Sequence, residues 1–358
     1  MAVRIFIHFF TNEVLHNNSL SVIILLIYLK VTYIMGTGAS LLTPEGRGNM
    51  KPKIFIDGRE GTTGLQIMQR LSDRDDIELL TISDTKRKDV SERKKLINEA
   101  DLVFLCLPDG AARDSVSLIE NGNTRVIDAS TAHRTDDGWV YGFPELSKEQ
   151  RVKIANAQRV ANPGCHATGI IASVYPLITL GIMPRDYPLT CMSVTGYSGG
   201  GKPMIHAYEN EKTPGMYAPR LYGLNLHHKH LPEIIKVTGL TRPPVFCPVV
   251  ADYYSGISAT IMLHNDMLRG NPTAPTILES LAEYYAREQF VKVTPELGHG
   301  MLESNWGTGT NMVEITVSGD NDLTIVTVRF DNLGKGAAGA AVQNMNIMLR
   351  MNNYTHER

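Results

Sequence analysis

From Lys53 onward the chain alternates short apolar runs with stretches of helical spacing. Ile54-Phe55-Ile56-Asp57 reads as a first strand, followed by a glycine turn and a helix over 63–71. Residues 78–82, 102–107 and 125–128 read as the second, third and fourth strands. Continuous apolar runs joined by helices are the pattern of strands buried on both faces of a parallel sheet. A Rossmann-type, doubly wound α/β domain is therefore expected. After Cys165 the texture changes. A helix is predicted over 166–180, then strands over 189–195, 245–251, 257–263, 312–317 and 323–330. One helix, 274–287, interrupts them, and a last helix covers 336–349. Strands grouped in this way predict a mixed or antiparallel sheet, hence an α+β second domain.

The first fifty residues do not share this pattern. The apolar run 22–35 contains Lys30 and is shorter than the ~20 residues a spanning helix needs. It also lacks a basic segment directly before it, as a secretory signal would have. Met50 is followed at once by the first strand, so residues 1–49 are read as an extension and Met50 as the start. The remaining chain divides into a nucleotide-binding domain, 50–164, completed by a C-terminal helix, 334–358, and a catalytic and dimerisation domain, 165–333.

Composition narrows the function classes. Lys and Arg total 35 against 37 Asp and Glu, a net charge of −2, with no basic-aromatic face for nucleic acid. Four cysteines in 358 residues, without a CxxC pair, form neither a disulfide framework nor a zinc ribbon. A reduced, cytoplasmic protein without a membrane partner is expected.

Candidate chemistry lies at the joints of the pattern. Gly58-Arg59-Glu60-Gly61-Thr62-Thr63-Gly64 links the first strand to its helix, where glycines let backbone N–H groups approach a pyrophosphate. Ser83-Asp84-Thr85-Lys86-Arg87-Lys88 ends the second strand. An acid there favours NAD, whereas the three consecutive cations favour the 2′-phosphate of NADP. Cys106, Cys191 and Cys247 lie in apolar runs and read as core residues. Cys165 instead follows Asn162-Pro163-Gly164 and opens a helix, a position that lowers a thiol's pKa. A thiol nucleophile needs an acid/base partner. His227-His228-Lys229-His230-Leu231-Pro232-Glu233 supplies imidazoles, with Glu233 close enough in sequence to orient one. No metal site is assigned there, because a further ligand at a clear spacing is lacking.

These segments, with Asn332-Leu333-Gly334-Lys335-Gly336-Ala337-Ala338-Gly339, resemble N-acetyl-γ-glutamyl-phosphate reductase of arginine biosynthesis, in its shorter second type. The resemblance runs from about Lys51 to the C-terminus. It implies a second domain like that of glyceraldehyde-3-phosphate dehydrogenase, a homo-oligomer (dimer or tetramer), and NADPH-dependent reduction of an acyl phosphate to a semialdehyde. By motif position it implies Cys165 as nucleophile, His230 as acid/base and His228 near the substrate, with a protonated histidine stabilising the oxyanion. Cofactor contacts are expected from Gly58, Gly61, Thr62, Thr63, Gly64, Ser83, Arg87, Lys88, Pro108, Asn332 and Gly334. Substrate contacts are expected from Ser130, Arg134, Ser198, Gly199 and Lys202. Aspartate-semialdehyde dehydrogenase, an aminoadipyl-phosphate reductase and a catalytically dead NADP-binding regulator are the competing readings.

Overall fold

The computed structural model describes residues 51–295 and 300–351. The extension 1–49 and the end of the expected C-terminal helix, 352–358, lie outside the described residues. Among those described, no helix is long and apolar enough to cross a membrane.

The first half follows β1 (Lys53–Asp57), α1 (Thr62–Leu71), β2 (Glu78–Leu80), α2 (Val90–Glu99), β3 (Leu102–Leu105), α3 (Asp109–Ser117), β4 (Arg125–Asp128), β5 (Val140–Tyr141), α4 (Lys148–Asn156) and β6 (Arg159–Ala161). These strands form a parallel sheet in the order β2-β1-β3-β4-β6-β5. Alternation within the strands explains the two layers. Ile54, Ile56, Leu102 and Phe104 face one core, while Phe55, Val103 and Leu105 face the other. The order reverses between β1 and β3, which opens a crevice at the carboxyl ends of the strands. The glycine turn after β1 lies there.

The second half follows α5 (Cys165–Thr179), β7 (Thr190–Gly196), α6 (Gly201–Asn210), β8 (Arg220–Leu221), α7 (Leu231–Thr238), β9 (Val245–Ala251), β10 (Ile257–His264), α8 (Ala274–Tyr285), β11 (Val291–Pro295), β12 (Val313–Gly319), β13 (Leu323–Phe330) and α9 (Gly339–Met348). The sheet is mixed, in the order β11-β12-β13-β10-β7-β9-β8, with β7·β9 and β11·β12 parallel. Helix α5 is buried almost throughout and packs on the sheet with α7 and α8.

Two helices, α6 and α7, lie between β7 and β9, where the periodicity predicts none; the predicted helix over 274–287 is α8. Both are short, so few apolar repeats mark them. For α7 the local signals exist: Pro232 in the first turn and Gly239 in the left-handed conformation (φ 74°) after the last.

The chain returns to the first sheet at its end. Residues 334–338 form a π-helical turn, with Gly336 N–H bonding the Asp331 carbonyl and Ala338 N–H that of Leu333. Helix α9 then packs Ala341, Val342, Met345 and Met348 into the core of Ile54, Ile56 and Phe104. Buried Lys335 anchors the turn through Glu145 Oε1 at 2.6 Å.

Candidate active site

Cys165 is the first residue of α5, at the end of the turn that leaves β6. Glu233, in the first turn of α7, holds that turn. Its carboxylate accepts the Gly164 N–H at 3.1 Å, the Tyr141 hydroxyl at 2.7 Å and Arg134 Nη1 at 2.7 Å. Arg134 also donates to the carbonyls of Asn162 (2.9 Å) and Ala129 (3.1 Å). Three of the five donors on its guanidinium are thus committed. Glycine is required at 164 for space. A Cβ there would lie 2.4 Å from Arg134 Nη1 and 2.6 Å from both Glu233 Oε1 and His230 Nε2.

Three histidines converge in the cavity that Cys165 lines. The ring centroids of His228 and His230 are 4.8 Å apart, and His166 lies 5.3 Å from the first and 5.7 Å from the second. His166 is fixed by Ser193 Oγ at 2.8 Å and the Tyr222 hydroxyl at 2.6 Å. His228 Nδ1 accepts the His230 backbone N–H at 3.2 Å, which leaves the ring proton on Nε2. His230 Nδ1 is buried without a partner.

The electrostatics revise two expectations. Burial pushes the Cys165 thiol above its ordinary pKa, and Arg134, the His166 backbone N–H and Lys229 only partly oppose that. The helix N-terminus therefore does not give a resting thiolate. Burial, reinforced by Arg134 and the neighbouring imidazoles, holds His230 well below the usual histidine range. Burial also lowers His166 to about 3 and His228 to about 4. The resting site is a neutral thiol beside neutral imidazoles, not a protonated histidine.

A cavity of about 310 Å³ opens over Cys165. His228, His230, Arg134, Ser198, Gly199 and Asn332 line it. Asn332 is locked in place: it donates to Ser198 Oγ at 3.0 Å and accepts the Gly256 N–H at 2.7 Å. No carboxylate lines the cavity among the described residues, while Arg134 and Lys229 both do.

Four assignments are corrected. Glu233 does not orient an imidazole; Arg134, Tyr141 and Gly164 take its oxygens. Ser130 spends its hydroxyl (2.7 Å) and its N–H (2.9 Å) on the buried Asp128, and Ala129 lines the cavity instead. Gly334 is a packing glycine, since a Cβ there would lie 2.2 Å from the Thr310 carbonyl oxygen. Gly336 is the one beside the nucleophile: its Cβ would lie 3.0 Å from that of Cys165. Lys202 is exposed and lines the cleft of Gly61, Thr62 and Thr63, which adjoins the cavity over Cys165, but it is not itself among the residues lining that cavity.

That cleft fits a dinucleotide. Gly58 has φ +88°, and a Cβ would lie 2.4 Å from the Cys106 carbonyl oxygen, so only glycine makes this turn. Gly64 is needed for close packing, 2.6 Å from the Gly58 carbonyl oxygen by the same measure. Thr62 Oγ1, at the mouth of α1, is buried without a partner. Farther out, Gly58, Arg87 and Lys88 line a second recess. Asp84 is drawn to Arg59 Nη2 at 2.7 Å and is not among the residues lining that recess. Ser83 bonds the Thr85 hydroxyl at 3.2 Å, and Pro108 precedes α3; each is only a sequence neighbour of a lining residue, Ile82 or Leu107.

Tyr141, His166 and Tyr222 carry no assigned role in the sequence reading. Of these, only His166 had a usable signal, its place directly after the cysteine.

Residues 53–154 match the family described as semialdehyde dehydrogenase, NAD binding domain, and residues 165–332 the family described as semialdehyde dehydrogenase, dimerisation domain. N-acetyl-gamma-glutamyl-phosphate reductase 2 of Nostoc sp. is 49% identical over 312 residues, covering 84% of this chain and 97% of that protein. The protein of the same name from Pseudomonas putida is 44% identical over 310 residues, covering 83% and 97%. Among solved structures, aspartate semialdehyde dehydrogenase II complexed with ASA from Vibrio cholerae superposes with a TM-score of 0.66 at 15% identity, covering 84% of this chain and 99% of that one. Aspartate semialdehyde dehydrogenase with NADP from Candida albicans gives 0.61 at 16% identity, covering 85% and 99%. The structural likeness establishes the shared fold, and the sequence relationship decides the rest: this chain belongs to the N-acetyl-γ-glutamyl-phosphate reductase family.

Proposed function

We propose that this protein reduces N-acetyl-γ-glutamyl phosphate to N-acetylglutamate 5-semialdehyde and phosphate, a step of arginine biosynthesis, with NADPH as reductant. One observation carries the choice among related acyl phosphates. The cavity over Cys165 holds two cations and no carboxylate among the described residues. A substrate bearing a free α-ammonium, such as aspartyl phosphate, would meet Lys229 and the Arg134–Glu233 pair there, with no free carboxylate among the described lining residues to receive it. An N-acylated, purely anionic substrate meets attraction.

The chemistry follows from the resting protonation states. His230, held neutral, takes the proton of the Cys165 thiol as the thiolate attacks the acyl carbon. The carbon–sulfur bond forms, the bond to the phosphate oxygen breaks, and a thioester remains on Cys165. Arg134, with donors left over, and Lys229 hold the anionic groups of the substrate. NADPH supplies the hydride that brings the thioester to the aldehyde level. The imidazolium of His230, formed in the first step, donates to the oxygen that carries the developing charge. Reclaiming that proton as the carbon–sulfur bond breaks, His230 releases the aldehyde and the thiolate. His228, on the cavity wall, orients the substrate. Gly58, Gly61, Thr62 and Thr63 would hold the pyrophosphate, and Arg87 and Lys88 the 2′-phosphate, since Asp84 is neutralised by Arg59.

The working form is a homo-oligomer built on the second sheet. Met192, Met262 and Ile325 stand 37, 38 and 43% exposed on neighbouring strands β7, β10 and β13, an apolar face suited to a second copy. Its place is the reducing cytoplasm, where the four free cysteines persist. Light scattering and cell fractionation test these two points.

The decisive assay runs in reverse. Pure protein is mixed with NADP, phosphate and either N-acetylglutamate 5-semialdehyde or aspartate semialdehyde, and reduced cofactor is followed by absorbance. Turnover of the first and not the second is expected. The opposite preference would overturn the reading.

A further inference from the structure

Part of the apolar lining of the cavity over Cys165 forms a clustered wall, and nothing in the chemistry above uses it. Met204 of α6, Tyr222 after β8 and Val250 near the end of β9 all line the cavity. The same three belong to a separate hydrophobic cluster, backed by buried Tyr208 and Met216. The wall is built firmly. The Tyr222 backbone N–H bonds the Pro248 carbonyl at 3.1 Å, and its hydroxyl is held by His166 Nε2 at 2.6 Å. Val250 is 4% exposed and pairs in register with Arg220 of β8. Met204 lies over Gly200, where a Cβ would sit 2.5 Å from its sulfur.

We infer that the wall formed by Met204, Tyr222 and Val250 is the subsite for the N-acyl group and sets how large that group can be. This rests on the proposed substrate class. An N-acylated glutamyl phosphate carries a phosphate, a carboxylate, an amide and methylenes. Its acyl methyl is the terminal apolar group, and these three side chains are the part of the lining that forms a hydrophobic cluster of its own. The other apolar lining residues, Ala129, Pro163, Leu333 and Ala337, lie outside that cluster. A methyl seated against the wall leaves water and gains packing, and its absence leaves the wall wet. The subsite therefore discriminates by size, as apolar pockets do, with about a 3- to 10-fold effect per carbon, from the burial of one methylene to the low end for an enzyme pocket.

The test uses the reverse reaction with N-formyl, N-acetyl and N-propionyl glutamate 5-semialdehydes, at saturating NADP and phosphate. The wild type is expected to favour acetyl over formyl about 3- to 10-fold in kcat/KM, and acetyl over propionyl. Val250→Ala and Met204→Ala each enlarge the space. Each should raise the propionyl-to-acetyl ratio at least about 5-fold while the KM for NADP stays within two-fold. Met204 is only partly buried on a surface helix, so that variant decides the matter even if Val250→Ala fails to fold. Unchanged acyl ratios in Met204→Ala would overturn the subsite. So would a raised KM for NADP with unchanged acyl ratios, which would assign the wall to the cofactor. Failure of every N-acylglutamate semialdehyde, with turnover of aspartate semialdehyde, would instead overturn the proposed function itself.

Discussion

Gly164 donates its backbone N–H to Oε2 of Glu233, so the turn that carries the nucleophile hangs from the helix that follows His230. Two segments far apart in sequence are set by one carboxylate. Arg134 and Tyr141 share that carboxylate, which makes it the hub of the site.

Glu233→Gln is expected to loosen this hub. The amide retains one acceptor but leaves the buried Arg134 charge unpaired. Breaking such a pair costs about 3–5 kcal/mol, and the unfolding free energy should fall by a comparable amount. Urea denaturation of both proteins checks this, and equal midpoints would show that the pair contributes little.

Gly164→Ala is expected to lower turnover about 100-fold or more. A methyl would meet Arg134, Glu233 and His230 within 2.6 Å, so the nucleophile turn must shift. A misplacement of about 1 Å is enough for such a loss. Cofactor binding, measured by fluorescence titration, should hardly change. An active Gly164→Ala enzyme would mean that the turn is softer than its contacts imply.

The pH dependence of Cys165 follows from burial. Because the folded thiol titrates above its ordinary pKa, the free enzyme is neutral thiol at pH 7 and becomes thiolate only as pH rises through that elevated value. Alkylation by iodoacetamide should be slow at pH 7 and still climbing beyond pH 9. In linkage terms, a raised acid pKa contributes stability that is present at neutral pH and does not grow on alkalinisation: above the unfolded pKa the unfolded state loses its proton first, and stability falls. A plateau in alkylation rate below pH 8 would place the thiolate in the resting state after all.

His230→Asn should slow the chemical step about 10²–10⁴-fold, the usual cost of losing an acid/base group. His228→Asn should act chiefly on KM. Pre-steady-state hydride transfer separates the two, and a normal rate in His230→Asn alone would exchange the roles.

Arg87→Ala should weaken NADP by about 1.5–3 kcal/mol, the range for a hydrogen bond to a charged group, and NAD much less. Cofactor titrations with both nucleotides measure it. Equal losses would remove Arg87 from the 2′-phosphate site.

The architecture was readable because its signals are periodic. Apolar runs such as Ile54-Phe55-Ile56 admit few alternatives once glycine turns punctuate them. The helix start at Cys165 was readable from its Pro-Gly turn, and the grouping of His228 and His230 from their sequence cluster. What the sequence hid is what depends on distance across the fold. Tyr141 meets Glu233 across 92 positions, and no local pattern announces it. Glu233 looked like a partner for a neighbouring imidazole because sequence proximity is all a linear reading has. The pKa directions were misjudged for the same reason. A helix N-terminus is visible in sequence, whereas the burial that outweighs it is not. Gly334 and Gly336 are indistinguishable in one glycine-rich motif until the π-helical turn points the second toward the thiol.

The helix that completes the cover of the first sheet follows every other described element of the chain. On a ribosome adding about 5–20 residues per second, α9 emerges on the order of 10–40 s after β6. For that interval the faces of Ile54, Ile56 and Phe104 lack the part of their cover that α9 supplies beside α1 and α4, although every strand of their sheet already exists. The cofactor domain is thus discontinuous in time as well as in sequence. Nascent chains stopped before residue 334 are expected to be bound by chaperones and cut by protease, whereas chains reaching residue 348 resist both.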